Sequence, residues 1–226
     1  MSDIYKSFAE QAIGNREKKA TEEGVCYVTE LVKCSRKAYR DRVSPPEYDD
    51  QTLRRFKAGD LLEEGFTAML RQIPGIYVIG TQWRAYYKDD KVEIHGRIDV
   101  LTQHNNKEIV AHEVKSVKDY SWSGEPYLTH RQQLQFYMGA TGLEYGEINY
   151  ISKKALVYGD KNIDERFLVE QDPETFQYLV EKAHILIDAL DNEIEPEPNP
   201  QEYWECGYCG HKRDCPKYAD ENSDTS

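Results

Sequence analysis

Gly96-Arg97-Ile98-Asp99-Val100 and, a little further on, His112-Glu113-Val114-Lys115 decide how the rest of the chain is read. Each is strand-like. Gln103-His104-Asn105-Asn106-Lys107-Glu108 between them is polar and Asn-rich, the composition of a hairpin turn. Side chains alternate faces along a strand, so Glu113 and Lys115 point one way and Val114 the other. A turn centred on Asn106 sets Asp99 across from Glu113 on the same face. Two carboxylates and one ammonium then converge. Hard divalent cations such as Mg²⁺ or Mn²⁺ take oxygen ligands of this kind, and the backbone carbonyl of Val114 offers another. A Lys beside such a metal and a scissile phosphate can orient the attacking water and offset developing charge. Taken alone, the same pattern also describes a surface hairpin with a cross-strand salt bridge.

The chain has 226 residues, room for one sizeable core and a small appended piece. A hydrophobic content of 39% and a mean hydropathy of -0.80 describe a polar globular protein. No run reaches the roughly 18 apolar residues of a spanning helix, and Met1-Ser2-Asp3-Ile4-Tyr5-Lys6 lacks the apolar centre of a signal peptide. A cytoplasmic protein with no membrane partner is expected. The net charge of -12 argues against a general nucleic-acid coat. Cations nevertheless cluster early, at Lys33, Arg36, Lys37, Arg40, Arg42, Arg54, Arg55 and Lys57. They read either as a basic patch on an acidic body or as scattered solvated helix faces.

Periodicity predicts helices over 2–19, 50–71, 128–142 and from Asp172 to about Leu190, the last opened by a cap, a Pro and an acid. Thr29 reads as a helix cap, and Pro45-Pro46 as a break. Strands are predicted over 76–87, 91–101, 108–117, 147–155 and 165–170. In the second helix Gly59 suggests close approach of another backbone, and Glu63 either reaches inward as an oxygen donor or is one more solvated acid. Gln133 and Tyr137, four apart, share a helix face. The aromatic loop 120–127 either stacks on bases or covers the core.

Cys206-x2-Cys209-x5-Cys215 brings three thiolates close together. A tetrahedral soft-metal centre needs a fourth ligand. Cys34 or Cys26 would supply it from far upstream, tying the chain ends together. Alternatively His211 completes a local zinc knuckle. Composition does not choose between iron–sulfur and zinc.

Together these motifs resemble the RecB-like nucleases of the PD-(D/E)xK superfamily, and more closely the CRISPR-associated nucleases that carry an iron–sulfur cluster, the fourth Cas protein family. The resemblance runs from about Val28 to Pro216. The segment Val28 to Tyr39 is similar to the family's N-terminal cysteine segment, which selects Cys34 over Cys26. Gly96-Arg97-Ile98-Asp99 and Glu113-Val114-Lys115 match the two core metal motifs, Gln133-Leu134-Gln135-Phe136-Tyr137 the QxxxY helix motif, and Cys206, Cys209 and Cys215 the C-terminal triplet. One motif departs: where the family has Gly-x-x-x-His, this chain has Gly59 followed by Glu63, also an oxygen donor.

The resemblance implies an α/β fold with a mixed central sheet flanked by helices, and a cysteine-rich domain made by the two chain ends. The expected division is an N-terminal segment 1–48 carrying one cluster cysteine, a nuclease core 49–192, a linker with three cysteines 193–220, and a disordered tail 221–226. It implies an exonuclease on single-stranded or overhanging DNA, acting 5′ to 3′ and trimming spacer precursors beside the CRISPR integrase. Asp99, Glu113, Lys115, Gln133 and Tyr137 would be catalytic. Glu63, Asp99, Glu113 and Val114 would hold Mg²⁺ or Mn²⁺, and Cys34, Cys206, Cys209 and Cys215 a cluster, 4Fe–4S rather than 2Fe–2S. A stand-alone repair or viral nuclease, and an iron–sulfur DNA-binding module with weak catalysis, are the rival readings.

Overall fold

The computed structural model describes residues 22–105, 107–118, 124–159, 164–202 and 204–217. The expected helix over 2–19, most of the aromatic loop and the tail lie outside them. Strands β2 (Ile76–Lys88) and β3 (Glu93–His104) make a long antiparallel hairpin. Its turn is closed by Asp89, whose Oδ1 accepts the backbone N–H of both Lys91 and Val92 at 2.9 Å. β4 (Ile109–Val117) returns antiparallel, with Val100 opposite His112 and Gln103 opposite Ile109. β5 (Tyr145–Ser152) runs parallel to β4, and β6 (Asp164–Glu170) closes that side antiparallel. A short strand β1 (Val25–Tyr27), not expected from the sequence, pairs parallel with the start of β3. Since β2 fills one edge of β3 along its whole length, β1 and β4 share the other. The stretch Gly96 to Asp99 lies between them, paired with neither.

Helix α1 (Val28–Leu31) is one turn capped at Tyr27 rather than at Thr29, because Glu30 reaches back to the Tyr27 N–H at 2.8 Å. α2 (Ser35–Val43) follows, then α3 (Asp50–Leu70), capped by Asp49. Phe66 and Leu70 of α3 pack on Val100, Val114 and Ile151 on one face of the sheet. Gly59 shows no backbone contact: a Cβ there would meet only Ser116 Oγ at 3.8 Å, so its expected role as a close-approach point falls. On the other face lie α4 (Leu128–Thr141), stopped by Gly142 at φ 71, and α6 (Pro173–Asp191). They bury Leu134, Phe136, Met138, Leu179, Ala183 and Leu186 against Ile94, Ile98, Ala111, Ile148 and Tyr150. The strand expected over 147–155 ends at Ser152 instead, whose hydroxyl caps α5 (Lys153–Tyr158).

From Ile194 to Pro200 the chain has no regular structure, then forms the single turn α7 (Glu205–Tyr208) and a 3-10 turn at Lys212–Asp214. It is stapled to α2. Arg40 pairs with Glu195, Arg36 with Glu195 and Glu197, and Arg42 with Glu30. The early cations of α2 are therefore not an open basic patch; carboxylates of the chain's own late segment and of Glu30 take them up. Among the described residues no helix is long and apolar enough to cross a membrane.

Candidate active site

The site forms where β3 and β4 part. Their ladder ends at Val100 and His112, and extending its register sets Asp99 opposite Glu113. Asp99 takes over the pairing there: its Oδ2 accepts the Val114 backbone N–H at 2.8 Å. In an extended strand the N–H and C=O of one residue leave on the same edge, so the Val114 carbonyl is also directed toward β3. Alternation breaks at Asp99. Ile98 joins the core under α4, whereas Val100, two residues on, joins the cluster under α3. Across the hairpin, the pairs Trp83–Ile98 and Thr81–Val100 flank Gln82, whose φ of 50 lies in the left-handed region. This local break turns Asp99 into the gap between the strands.

Glu113 is fully buried, and its Oε1 meets the Lys115 ammonium, which remains about a quarter exposed. Its Oε2 has no hydrogen-bond partner among the described residues. Burial first, and the neighbouring Asp99 charge second, push the Glu113 carboxyl up to about 8, against the pull of Lys115. Burial and Asp99 likewise push Glu63 up to about 7. Burial raises Asp99 too, against Lys115 and the Val114 N–H. Lys115 is held above its ordinary value because Glu113 and Asp99 outweigh its desolvation. Three carboxyl groups sharing one ammonium form a pocket short of positive charge. A buried oxygen without a donor, in an all-oxygen set, fits a hard divalent cation. Among the described residues no three His, Cys, Asp or Glu side chains are already gathered into a metal cage; Glu63 is turned onto Gln82 Nε2 and Glu113 onto Lys115.

Glu63 projects from α3 close enough to Asp99 and Lys115 to feel both charges. Gln133 and Tyr137 come from the other side, on α4. Gln133 Nε2 donates to the Tyr137 hydroxyl at 2.6 Å, and that hydroxyl also meets the backbone of Arg97. Gly96 makes this possible, since a Cβ there would stand 2.6 Å from Tyr137 Cε1. Reading the sequence missed Gln82, which holds Glu63, because its left-handed backbone leaves no residue signature. It also missed His130, whose Nδ1 shares a 2.8 Å hydrogen bond with the Tyr150 hydroxyl. Burial and the nearby Lys115 charge hold that imidazole well below the usual range.

The remaining expected ligands lie elsewhere. Cys34, Cys206, Cys209 and Cys215 line one small, partly open cavity between α2 and the C-terminal turns, with Arg40 and His211 on its wall. Cys34 Sγ accepts the Asn199 N–H at 3.3 Å, and Cys34 N donates to Glu205 Oε2 at 3.1 Å. Cys26 is away from it, wholly buried in the core, its thiol pushed up to about 12 by burial. His211 shares a 2.9 Å hydrogen bond with Asp41.

Against known proteins, the chain is 25% identical to the CRISPR-associated exonuclease Cas4 of Saccharolobus solfataricus, over 86% of this chain and 89% of that protein. The crystal structure of SSO0001 superposes with a TM-score of 0.71 at 21% identity, covering 96% of this chain and 97% of the other. LHK-Exo in complex with dAMP superposes with a TM-score of 0.54 at 14% identity, covering 84% and 94%; LHK-Exo is an alkaline exonuclease from Laribacter hongkongensis. The family model of the PD-(D/E)XK nuclease superfamily matches residues 4–216. With that match spanning nearly all of the chain, on a mixed sheet flanked by helices, the protein belongs to the PD-(D/E)XK nuclease superfamily.

Proposed function

We propose that this nuclease is a divalent-metal-dependent DNA exonuclease of the Cas4 kind, degrading single-stranded ends 5′ to 3′ and trimming spacer precursors beside a CRISPR integrase. The observation that carries the chemistry is Glu113, a fully buried carboxyl with one unpartnered oxygen, set against Asp99 and Lys115 at the parted strands. The exonuclease activity and the CRISPR role are supported by the motif resemblance and by the Cas4 relative; the DNA substrate and the polarity rest on the motif resemblance alone. Asp99, Glu113, Glu63 and the Val114 carbonyl would hold Mg²⁺ or Mn²⁺. Such an ion polarises a phosphoryl oxygen and makes bound water a nucleophile near neutral pH. Lys115, kept protonated by Glu113 and Asp99, stabilises charge developing on the phosphate and orients the water. Gln133 and Tyr137 are positioning residues that fix the Arg97 backbone and so the strand edge bearing Asp99.

The test is cleavage of single-stranded DNA labelled at either end, with Mn²⁺ or with EDTA. Loss of the 5′ label as mononucleotides only with metal is expected. Unchanged cleavage by Glu113→Gln or Lys115→Met would sink the assignment.

For the cysteines we propose one iron–sulfur cluster, of the 4Fe–4S type, held by Cys34, Cys206, Cys209 and Cys215 and joining segment 193–220 to the first 48 residues as a closure on the 49–192 core. Their shared cavity supports this set, and the core position of Cys26 argues against that residue. Anaerobically purified protein should contain iron and acid-labile sulfide. Both should be lost in Cys34→Ala and retained in Cys26→Ala and His211→Ala. Colourless protein with zinc, sensitive at His211 and indifferent at Cys34, would overturn it.

A further inference from the structure

Two strands of the hairpin carry an arrangement that folding alone does not explain. Arg84 on β2 and Arg97 on β3 stand directly opposite each other. Both are exposed, and among the described residues neither takes part in an ion pair or a side-chain hydrogen bond. Like charges placed opposite on a sheet repel and cost stability. Arg54, Arg55 and Arg71 are also exposed without an ion pair among the described residues; what marks Arg84 and Arg97 is that they are set against each other across two strands, in a chain with 41 acids and 29 bases.

Its position is specific. Arg97 lies two residues before Asp99, close enough for its charge to lower the Asp99 carboxyl's affinity for its proton. Arg84 lies two residues beyond Gln82, which holds Glu63. The residues beside them, Ala85 and Gly96, face the core under α4, so the arginines project from the opposite face. One further step along that face, Tyr86 stands opposite His95, their rings in edge contact with centroids 5.4 Å apart. Tyr86 is 48% exposed. Leading away from the carboxylates along one sheet face are therefore a pair of bare guanidiniums and then the exposed Tyr86 ring, braced by a His95 that shares a 2.5 Å contact with Glu93 Oε1.

We propose that this face is the seat of the single DNA strand adjoining the scissile phosphate, the arginine pair gripping one or two backbone phosphates and Tyr86, held edge-on by His95, stacking a base. The inference rests on the nuclease reading above and names the path its substrate takes. Guanidinium forks fit phosphate oxygens in bidentate geometry, and repulsion within the pair is relieved when an anion lies between them. Stacking on an aromatic ring is tolerant of sequence, as the trimming of arbitrary ends requires. The strand carries the negative charge that the arginines lack a partner for.

The experiment measures binding of a fluorescent oligothymidylate by anisotropy in EDTA, across a salt series, together with KM for its Mn²⁺-dependent cleavage. Removing one cation from a DNA phosphate should flatten the log–log salt dependence by roughly 0.7. The double variant Arg84→Gln/Arg97→Gln should therefore lose roughly 1.4. Its affinity at low salt should fall at least about tenfold, with KM rising in step. Its thermal midpoint should be equal or higher, because a repulsive pair is gone; a structural role would lower it. The Lys/Lys variant should restore the slope, and Tyr86→Ala should weaken binding about fivefold or more while Tyr86→Phe does not. A wild-type chain that neither binds nor cuts DNA overturns the nuclease reading and this path with it. A wild type that binds and cuts, while the double Gln variant keeps its slope and KM, overturns the path alone.

Discussion

Residue by residue, the proposed activity rests on three carboxyl groups, of which Glu113 is shut off from water. Glu113→Gln keeps the shape and removes the charge, and Lys115→Met removes the ammonium that answers it. Each is expected to lower the rate of DNA cleavage at least about a hundredfold, read as initial rates at saturating Mn²⁺, with the circular dichroism spectrum unchanged. The same groups set a pH dependence of stability. A carboxyl whose folded value is raised binds its proton more tightly in the folded chain, so the stability it contributes is present at low pH and is lost as the pH rises toward the raised value. For Glu113, ordinarily 4.5 and here about 8, that window runs from about pH 4.5 to 8; Glu63 adds to it up to about 7. In EDTA the urea midpoint should fall across this window and should fall much less in Glu113→Gln. Added Mn²⁺ should recover the loss at the alkaline end. A metal-free midpoint that rises over the same range would show that Glu113 is not desolvated.

Among the helices and strands, the meeting of α4 with the hairpin is the sensitive joint. Gly96→Ala would place a methyl 2.6 Å from Tyr137 Cε1 and 3.2 Å from Phe136 Cε1. Overpacking of this kind costs about 1–3 kcal/mol, and it also pushes Tyr137 off Arg97, so both the urea midpoint and the cleavage rate should drop. An unchanged rate would mean that Tyr137 does not position the Asp99 strand. Much of this level was legible in the sequence. Asp172-Pro173-Glu174 announced α6, Gly142 announced the end of α4, and a turn centred on Asn106 gave the register of β3 on β4 because side chains alternate with period two. Two things were not legible. β1 is only three residues long and pairs far along the chain, so no periodicity can register it. The break at Asp99, which places the carboxylate in the gap, depends on Gln82 adopting a left-handed backbone that its residue type does not favour. The fate of the α2 cations was equally hidden: Glu195, the partner of Arg40, lies 155 residues away.

For the molecule as a whole, the two ends of the described chain are joined through Glu205. This carboxylate is buried, with only 8% of its surface exposed. Its Oε2 accepts from Cys34 N, and its Oε1 from Gln201 N and Glu202 N at 3.0 and 3.2 Å. Lys182, also buried, adds a tie by donating to the Lys33 carbonyl at 2.6 Å. Glu205→Ala should strand three backbone donors and destabilise the protein by about 2 kcal/mol or more, releasing the C-terminal segment to limited proteolysis while the sheet and the helices packed on it persist. Global unfolding in one step with no resistant fragment would show that the ends and the core are a single cooperative unit. The core itself poses the decisive question, whether Asp99 and Glu113, at the parted strands, hold the catalytic divalent ion. Calorimetric titration of Mn²⁺ near neutral pH, in buffers of different ionisation enthalpy, answers it. Saturable binding with net proton release is expected in the wild-type chain, because the ion displaces protons from raised carboxyls, and both should be lost in Asp99→Asn/Glu113→Gln. Undiminished Mn²⁺ binding by that double variant would contradict the assignment.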